Sequence, residues 1–139
     1  MTAKEWLIRG WQIGQEIEEL AREKEEAFAR AAKSTAGGTD FRVKGRGANA
    51  SEERMAVYAD YSILLEAKIE ELIRTKTEIL EVIGRVENAA YRTFLQKRYI
   101  SFKKMEDIAD EMYYSLRHTR RIQMRAVLEV EKMLKDGLR

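Results

Sequence analysis

Apolar and small side chains near the N-terminus recur in alternating steps of four and three residues, a spacing that marks one face of an α-helix. They are Trp6, Gly10, Ile13, Ile17, Leu20, Ala27 and Ala31, with Lys24 as the one interruption. Thr2 and Glu5 have the spacing of a capping box, in which each side chain satisfies a free backbone N–H. The pattern therefore predicts a long helix that begins at Thr2.

A second run with the same alternating steps extends from Met55 to Val86. Asn49 or Ser51 is placed to cap this helix, and Gly84 to end or bend it. Residues 34–50 hold four of the eight glycines and show no period, so they are predicted to form a loop. Two long helices joined by one loop predict an antiparallel hairpin over residues 1–87, with Trp6 near Ile79 and Ile83.

The remaining residues, 88–139, have a shorter pattern that predicts helices at about 89–99, 102–112 and 115–135, with Asn88 and Ser101 as caps of the first two. Ser115 stands at the N-cap of the third. If Thr119, Ile122 and Ala126 face the core of this region, Arg117, Arg120 and Arg121 point away from it. The whole chain is thus predicted to be all-α, with a helical hairpin followed by a helix-turn-helix domain.

Charge is unevenly distributed along the chain. The net charge is only +2, but residues 88–139 contain 12 basic and 7 acidic side chains, and Leu116–Leu128 contains no acidic residue. A solvated helix face usually mixes the two signs. A basic face with no acid indicates binding to a polyanion.

The run Tyr91 to Leu134 resembles the C-terminal promoter-reading domain, region four, of bacterial sigma factors. The resemblance rests on "LQKRYI", on "MEDIADEM" and on "YSLRHTRRIQMRAVLEV", which stands where that family has its recognition helix. The family commonly has glycine in the turn, where φ is positive, and Tyr113 stands there. Many sigma factors have a base-reading glutamate where Arg117 stands, so the target sequence of that family does not carry over.

Taken whole, the chain resembles small prophage-encoded proteins of Gram-positive bacteria, related in style to phage late-transcription activators of the ArpU type. This resemblance implies a DNA-binding regulator in the cytoplasm of a bacterial host. Its implied partners are double-stranded DNA and, as candidates, RNA polymerase and a second copy of the chain bound through the hairpin.

The predicted DNA site has two groups of residues. Guanidinium groups can reach guanine edges in the major groove, so Arg117, Arg120 and Arg121 are the predicted base contacts. The second group consists of neighbouring residues that can hold phosphates, namely Lys103, Lys104, Ser115, His118 and Arg125. The basic loop sequence "FRVKGRG" is a further candidate for the phosphate backbone, with a simple linker as its alternative.

Several kinds of chemistry have no candidate residues. Cysteine is absent and His118 is the one histidine, so neither a thiolate nor a histidine metal site is expected. No phosphate loop or serine–histidine pair occurs, and we expect neither an enzyme nor a cofactor. No segment approaches the length of apolar chain that a membrane span needs.

The sequence leaves two other functions open. A DNA-packaging recognition subunit also joins a helix-turn-helix to long helices but assembles into rings, so the mass in solution would distinguish it. A coiled-coil adaptor with a degenerate helix-turn-helix would show no affinity for DNA at low salt.

Overall fold

The computed structural model describes residues 1–36 and 44–137, with only the backbone described at 33–36 and 44–49. The described residues are helical and contain no strand. The helices are α1 (Ala3–Leu7), α2 (Arg9–Ala36), α3 (Lys44–Gly84), α4 (Ala89–Leu95), α5 (Met105–Met112) and α6 (Leu116–Lys135), and a π-helical turn, Gln96–Ile100, follows α4. No described helix has both the length and the apolar character to cross a membrane.

The capping box predicted at the N-terminus is confirmed. The Glu5 N–H donates to the Thr2 hydroxyl at 3.2 Å, and the Thr2 N–H donates to the Glu5 carboxylate at 3.2 Å. The single long helix predicted from this point is interrupted at Ile8, where ψ is 0°. We attribute the interruption to Arg9, whose Nε donates to the Trp6 carbonyl oxygen at 2.9 Å, because a side chain that takes a ladder carbonyl distorts a helix.

The loop predicted over residues 34–50 is wrong at both ends. α2 continues to Ala36 and α3 begins at Lys44, so Asn49 and Ser51 lie inside α3 and do not cap it. Extending a formed helix through a glycine costs only about 1 kcal/mol per residue, whereas nucleation is the expensive step, and no proline is present to stop it. The middle of the predicted loop, 37–43, lies outside the described residues.

The chain divides into two compact units, and their limits differ from the single boundary predicted at residue 87. The first unit comprises Met1–Ile13 and Leu72–Arg139, and the second comprises Gly14–Glu71. Residues 1–13 and 72–87 belong with the C-terminal helices because they share one apolar core with them. The larger members of that core are Trp6, Leu7, Ile79, Val82, Ile83, Val86, Phe94, Leu95, Tyr99, Ile108, Ile122 and Val130.

Within the second unit, α2 and α3 run in opposite directions. Glu16 of α2 forms an ion pair with Lys68 of α3 at 2.6 Å. Eight residues further along α2, the Lys24 ammonium lies 5.4 Å from the centre of the Tyr58 ring. The Phe28 ring lies 5.5 Å from the same tyrosine ring. Residues further along α2 therefore contact residues nearer the start of α3.

The connection between α4 and α5 differs from the prediction. Asn88 caps α4 as expected, accepting from the Ala90 and Tyr91 N–H groups. Ser101 does not cap α5; it ends the π-helical turn by donating its N–H to Gln96 at 3.0 Å. Phe102 then takes a left-handed conformation with φ of 59°, so the chain re-enters a helix only after Lys104, whose side chain makes no cap hydrogen bond.

Candidate nucleic-acid interface

A tight turn, Tyr113–Ser115, joins α5 to α6. At the end of α5 the Tyr114 N–H donates to the Ala109 carbonyl at 2.9 Å and the Tyr113 N–H donates to the Asp110 carbonyl at 3.3 Å. These two bonds are those of a Schellman motif, which needs a left-handed residue between helix and turn. Tyr113 fills that position with φ of 59° and ψ of 38°.

Ser115 begins α6 as its N-cap. Its hydroxyl accepts a hydrogen bond from the His118 N–H at 3.1 Å, and its backbone is extended. The Thr119 hydroxyl donates to the Ser115 carbonyl at 2.9 Å, which satisfies a polar group that is fully buried. The direction in which α6 leaves the turn is thus fixed by two hydrogen bonds to one residue.

The inner face of α6 packs into the core of the first unit. Thr119, Ile122, Ala126 and Val130 are all buried, as is Ala109 of α5. The inward orientation predicted for Thr119, Ile122 and Ala126 is therefore confirmed. Since their spacing follows the helical repeat, the orientation of the opposite face is also fixed.

The outer face of α6 carries Arg117, Arg120, Arg121 and Arg125, all exposed, and we call these four residues the cationic face. Within residues 1–36 and 44–137, none of these guanidinium groups forms a salt bridge or a hydrogen bond to the protein. An unpaired guanidinium group keeps all five N–H donors for a ligand. At a rise of ~1.5 Å per residue, Arg117 and Arg125 lie about 12 Å apart along the helix.

The two lysines predicted as phosphate contacts differ in their ion pairing. The Lys103 ammonium lies 2.6 Å from a Glu111 carboxylate oxygen that also accepts from Lys97 at 2.6 Å. Hydrogen bonds from Lys103 and Lys97 lower the pKa of the Glu111 carboxyl, so the carboxylate stays charged at neutral pH. Lys103 is thus partly neutralised from within the chain, whereas Lys104 is exposed and forms no ion pair in the described part of the chain.

His118 is half-buried and stands edge-on to the Tyr114 ring, with ring centres 4.6 Å apart and an angle of 87° between the planes. The contact holds the imidazole beside the turn. Of the basic sequence "FRVKGRG", residues 41–43 lie outside the described part of the chain, and only the helical backbone of 44–47 is described.

Arg9, Arg92 and Arg98 of the first unit are used inside the protein. Arg92 donates to the Val86 carbonyl at 2.6 Å, and Arg98 donates to the Lys103 carbonyl at 2.8 Å. The Arg9 guanidinium lies 4.8 Å from the Trp6 ring centre and pairs with Glu78 at 3.3 Å. These contacts distinguish structural arginines from those of the cationic face, a distinction that residue type alone does not give.

The described residues contain no group of three or more histidine, cysteine or acidic side chains that could hold a metal ion. A cleft of about 490 Å³ in the first unit is lined by Trp6, Arg9, Glu78 and Glu131 among others, and its charged groups already face partners of opposite sign.

Comparison with known proteins gives one match. No curated protein and no solved structure matches the chain. Residues 42–131 match the model of a family described as "Protein of unknown function (DUF1492)". The matched range is more than half of the chain and includes α5, the turn and the cationic face. The chain therefore belongs to the family of proteins of unknown function DUF1492.

Proposed function

We propose that the chain is a sequence-specific DNA-binding regulator of the phage type, in which α5, the turn and α6 act as a helix-turn-helix. In this proposal α6 lies in the major groove as the recognition helix, and Arg117, Arg120 and Arg121 contact base edges. The observation that carries it is the cationic face. Three neighbouring guanidinium groups are exposed on one side of a helix whose other side is buried, and they have no partner among the residues that the structure describes.

Electrostatics support a polyanionic ligand. Like charges on one helix face repel and destabilise the free protein. A face of four arginines that pairs with no acid in the described part of the chain is better explained by a ligand than by stability. Guanidinium forks match guanine O6 and N7 in the major groove, each pair giving about 1–3 kcal/mol of discrimination. Lys104, Arg125 and the Ser115 hydroxyl are assigned to phosphates beside the groove, with Lys103 and His118 as weaker contributors.

The second unit is assigned a different role in the proposal. Ile63 and Leu64 of α3 are 65% and 53% exposed, which is apolar surface suited to a protein partner. We assign it to RNA polymerase or to a second copy of the chain, the two partners that fit a regulator.

The test compares variants of equal net charge. A duplex site is first selected from a random library with the wild-type chain, and affinity is then measured by fluorescence anisotropy at several salt concentrations. Arg120→Ala with Arg121→Ala should weaken binding by about 1–3 kcal/mol per arginine. The matched control is Arg74→Ala with Arg85→Ala, two exposed arginines outside the cationic face.

The control pair should lose less affinity, because Arg74 and Arg85 do not belong to α6 and neither is assigned a contact with the DNA. Equal losses for the two double variants would show that binding follows net charge alone and would reject the assigned face. Failure of the wild-type chain to enrich any duplex would reject DNA recognition itself.

A further inference from the structure

Tyr113 occupies a backbone conformation that does not suit it. Its φ of 59° places it in the left-handed region, where a side chain with a Cβ is disfavoured and glycine is the usual residue at the end of a helix. The Schellman hydrogen bonds of the turn are made by the backbone, so they need this conformation but not a tyrosine. Local structure therefore does not account for the side chain.

Packing does not account for it either. The Tyr113 side chain is 94% exposed. Among the residues that the structure describes, it makes no hydrogen bond, ring contact or cation–π contact. A strained residue whose side chain contributes nothing to the fold is a sign of a functional site.

Phe102 provides an internal comparison. It has the same φ of 59°, but its ring is half-buried and lies 4.7 Å from the Lys76 ammonium. The ring also lies beside Gly10, where an added Cβ would be in ordinary van der Waals contact with it at 3.5 Å. The side chain of Phe102 is thus used inside the protein, and that of Tyr113 is not.

The position of Tyr113 indicates the ligand. It lies two residues before the N-cap Ser115 and four before Arg117, at the end of α6 that carries the cationic face. A phenol hydroxyl is a neutral donor, and tyrosine is among the side chains that hydrogen-bond phosphate oxygens in DNA complexes.

We propose that Tyr113 is a DNA-backbone contact whose hydroxyl donates a hydrogen bond to a phosphate oxygen beside the groove that α6 enters. The inference rests on the proposed function and extends it to a residue that is not basic. The turn then keeps a tyrosine, at some cost to the stability of the free protein, because the hydroxyl is needed by the complex.

The experiment uses Tyr113→Phe and Tyr113→Gly in the full chain, with Phe102→Gly as the control. Hydrogen bonds to charged groups are among the stronger ones, so Tyr113→Phe should weaken binding to the selected duplex about tenfold. Because no charge is lost, the slope of log affinity against log salt should stay unchanged, whereas loss of a cationic phosphate contact reduces it.

Tyr113→Gly should bind as weakly as Tyr113→Phe and yet unfold at a higher temperature than wild type, since glycine relieves the left-handed strain. Phe102→Gly should unfold at a lower temperature, because the lost ring contacts outweigh the relieved strain.

The possible outcomes separate the two proposals. Equal affinity of wild type and Tyr113→Phe for the selected duplex overturns the Tyr113 contact and leaves the proposed function standing. Loss of affinity only in Tyr113→Gly also overturns it, since the ring and not the hydroxyl would then be responsible. If wild type binds no duplex, both proposals fall.

Discussion

Ser115 allows the stability and the binding roles of one residue to be separated. Its hydroxyl accepts one exposed hydrogen bond, from the His118 N–H at 3.1 Å. In Ser115→Ala this N–H turns to water, so the cost is near the middle of the range for N-caps, about 1 kcal/mol. For a unit of the size of Met1–Ile13 with Leu72–Arg139, that loss lowers the unfolding temperature by about 4–8 °C.

Ser115→Asp is the matched variant. Aspartate caps helices as well as serine does, and its charge is favourable at a helix N-terminus, so the unfolding temperature should stay at or above that of wild type. In the proposed complex the same carboxylate would stand beside DNA phosphates in place of a hydroxyl donor, so the repulsion should weaken binding at least about tenfold. Stability and affinity should therefore change in different directions in this variant.

The assay follows tryptophan fluorescence on heating. Trp6 lies in the same core as Ile122 of α6, so its emission reports unfolding of the first unit. If Ser115→Asp is destabilised as much as Ser115→Ala, the cap does not support α6 as described. If Ser115→Asp binds DNA as tightly as wild type, Ser115 does not lie near phosphates.

Two further predictions concern the core that holds α6. Phe94 is fully buried, and Phe94→Ala should destabilise the first unit by about 3–5 kcal/mol in urea unfolding. Phe28 is 54% exposed, and Phe28→Ala should cost less than about 1 kcal/mol. Similar losses in the two variants would mean that Phe94 does not pack in the core. Burial raises the pKa of the Tyr99 hydroxyl, against the smaller opposing effect of the hydrogen bond from Gln123. The protonated Tyr99 hydroxyl therefore stabilises the folded state fully below the ordinary tyrosine pKa of about 10. This contribution is lost as pH rises through the raised pKa of the folded state. The stability of wild type should thus fall more steeply above about pH 10 than that of Tyr99→Phe, and parallel pH profiles would contradict the burial.

Local signals in the sequence predicted the helix starts that depend on them. Thr2 with Glu5, Asn88 and Ser115 all cap helices, because a cap needs only a few consecutive residues. The inward side of α6 was predictable for a similar reason, since the spacing of Thr119 and Ile122 defines the face.

The errors lie where the outcome depends on neighbours in space or on small energy differences. Ser101 has the residue type of a cap, but Phe102 takes a left-handed backbone that no sequence pattern indicates, because aromatic residues seldom adopt positive φ. The start of α3 at Lys44 was missed because glycine weakens a helix without preventing it. The sharing of residues 1–13 with the C-terminal core depends on tertiary packing, which a helical period alone does not specify.

The candidate site also has features that the sequence predicted and features that only the structure shows. The helical spacing of the inward-facing residues of α6 predicted that Arg117, Arg120 and Arg121 are exposed, and all three are. The internal use of Lys103, held by Glu111, arises from a contact between residues eight positions apart, and no sequence pattern indicated it. The lone ring of Tyr113 likewise becomes informative only when its exposure is known.

The most direct test of major-groove recognition by the cationic face replaces single guanines of the selected duplex by 7-deazaguanine, which removes the N7 acceptor and leaves the base pair intact. At least one replacement should weaken wild-type binding by about 1 kcal/mol or more. The same replacement should have no further effect on a variant that carries Arg117→Ala, Arg120→Ala and Arg121→Ala, which lacks all three proposed base contacts. Wild-type affinity that is unchanged by every replacement, or that falls equally in wild type and variant, would contradict the account.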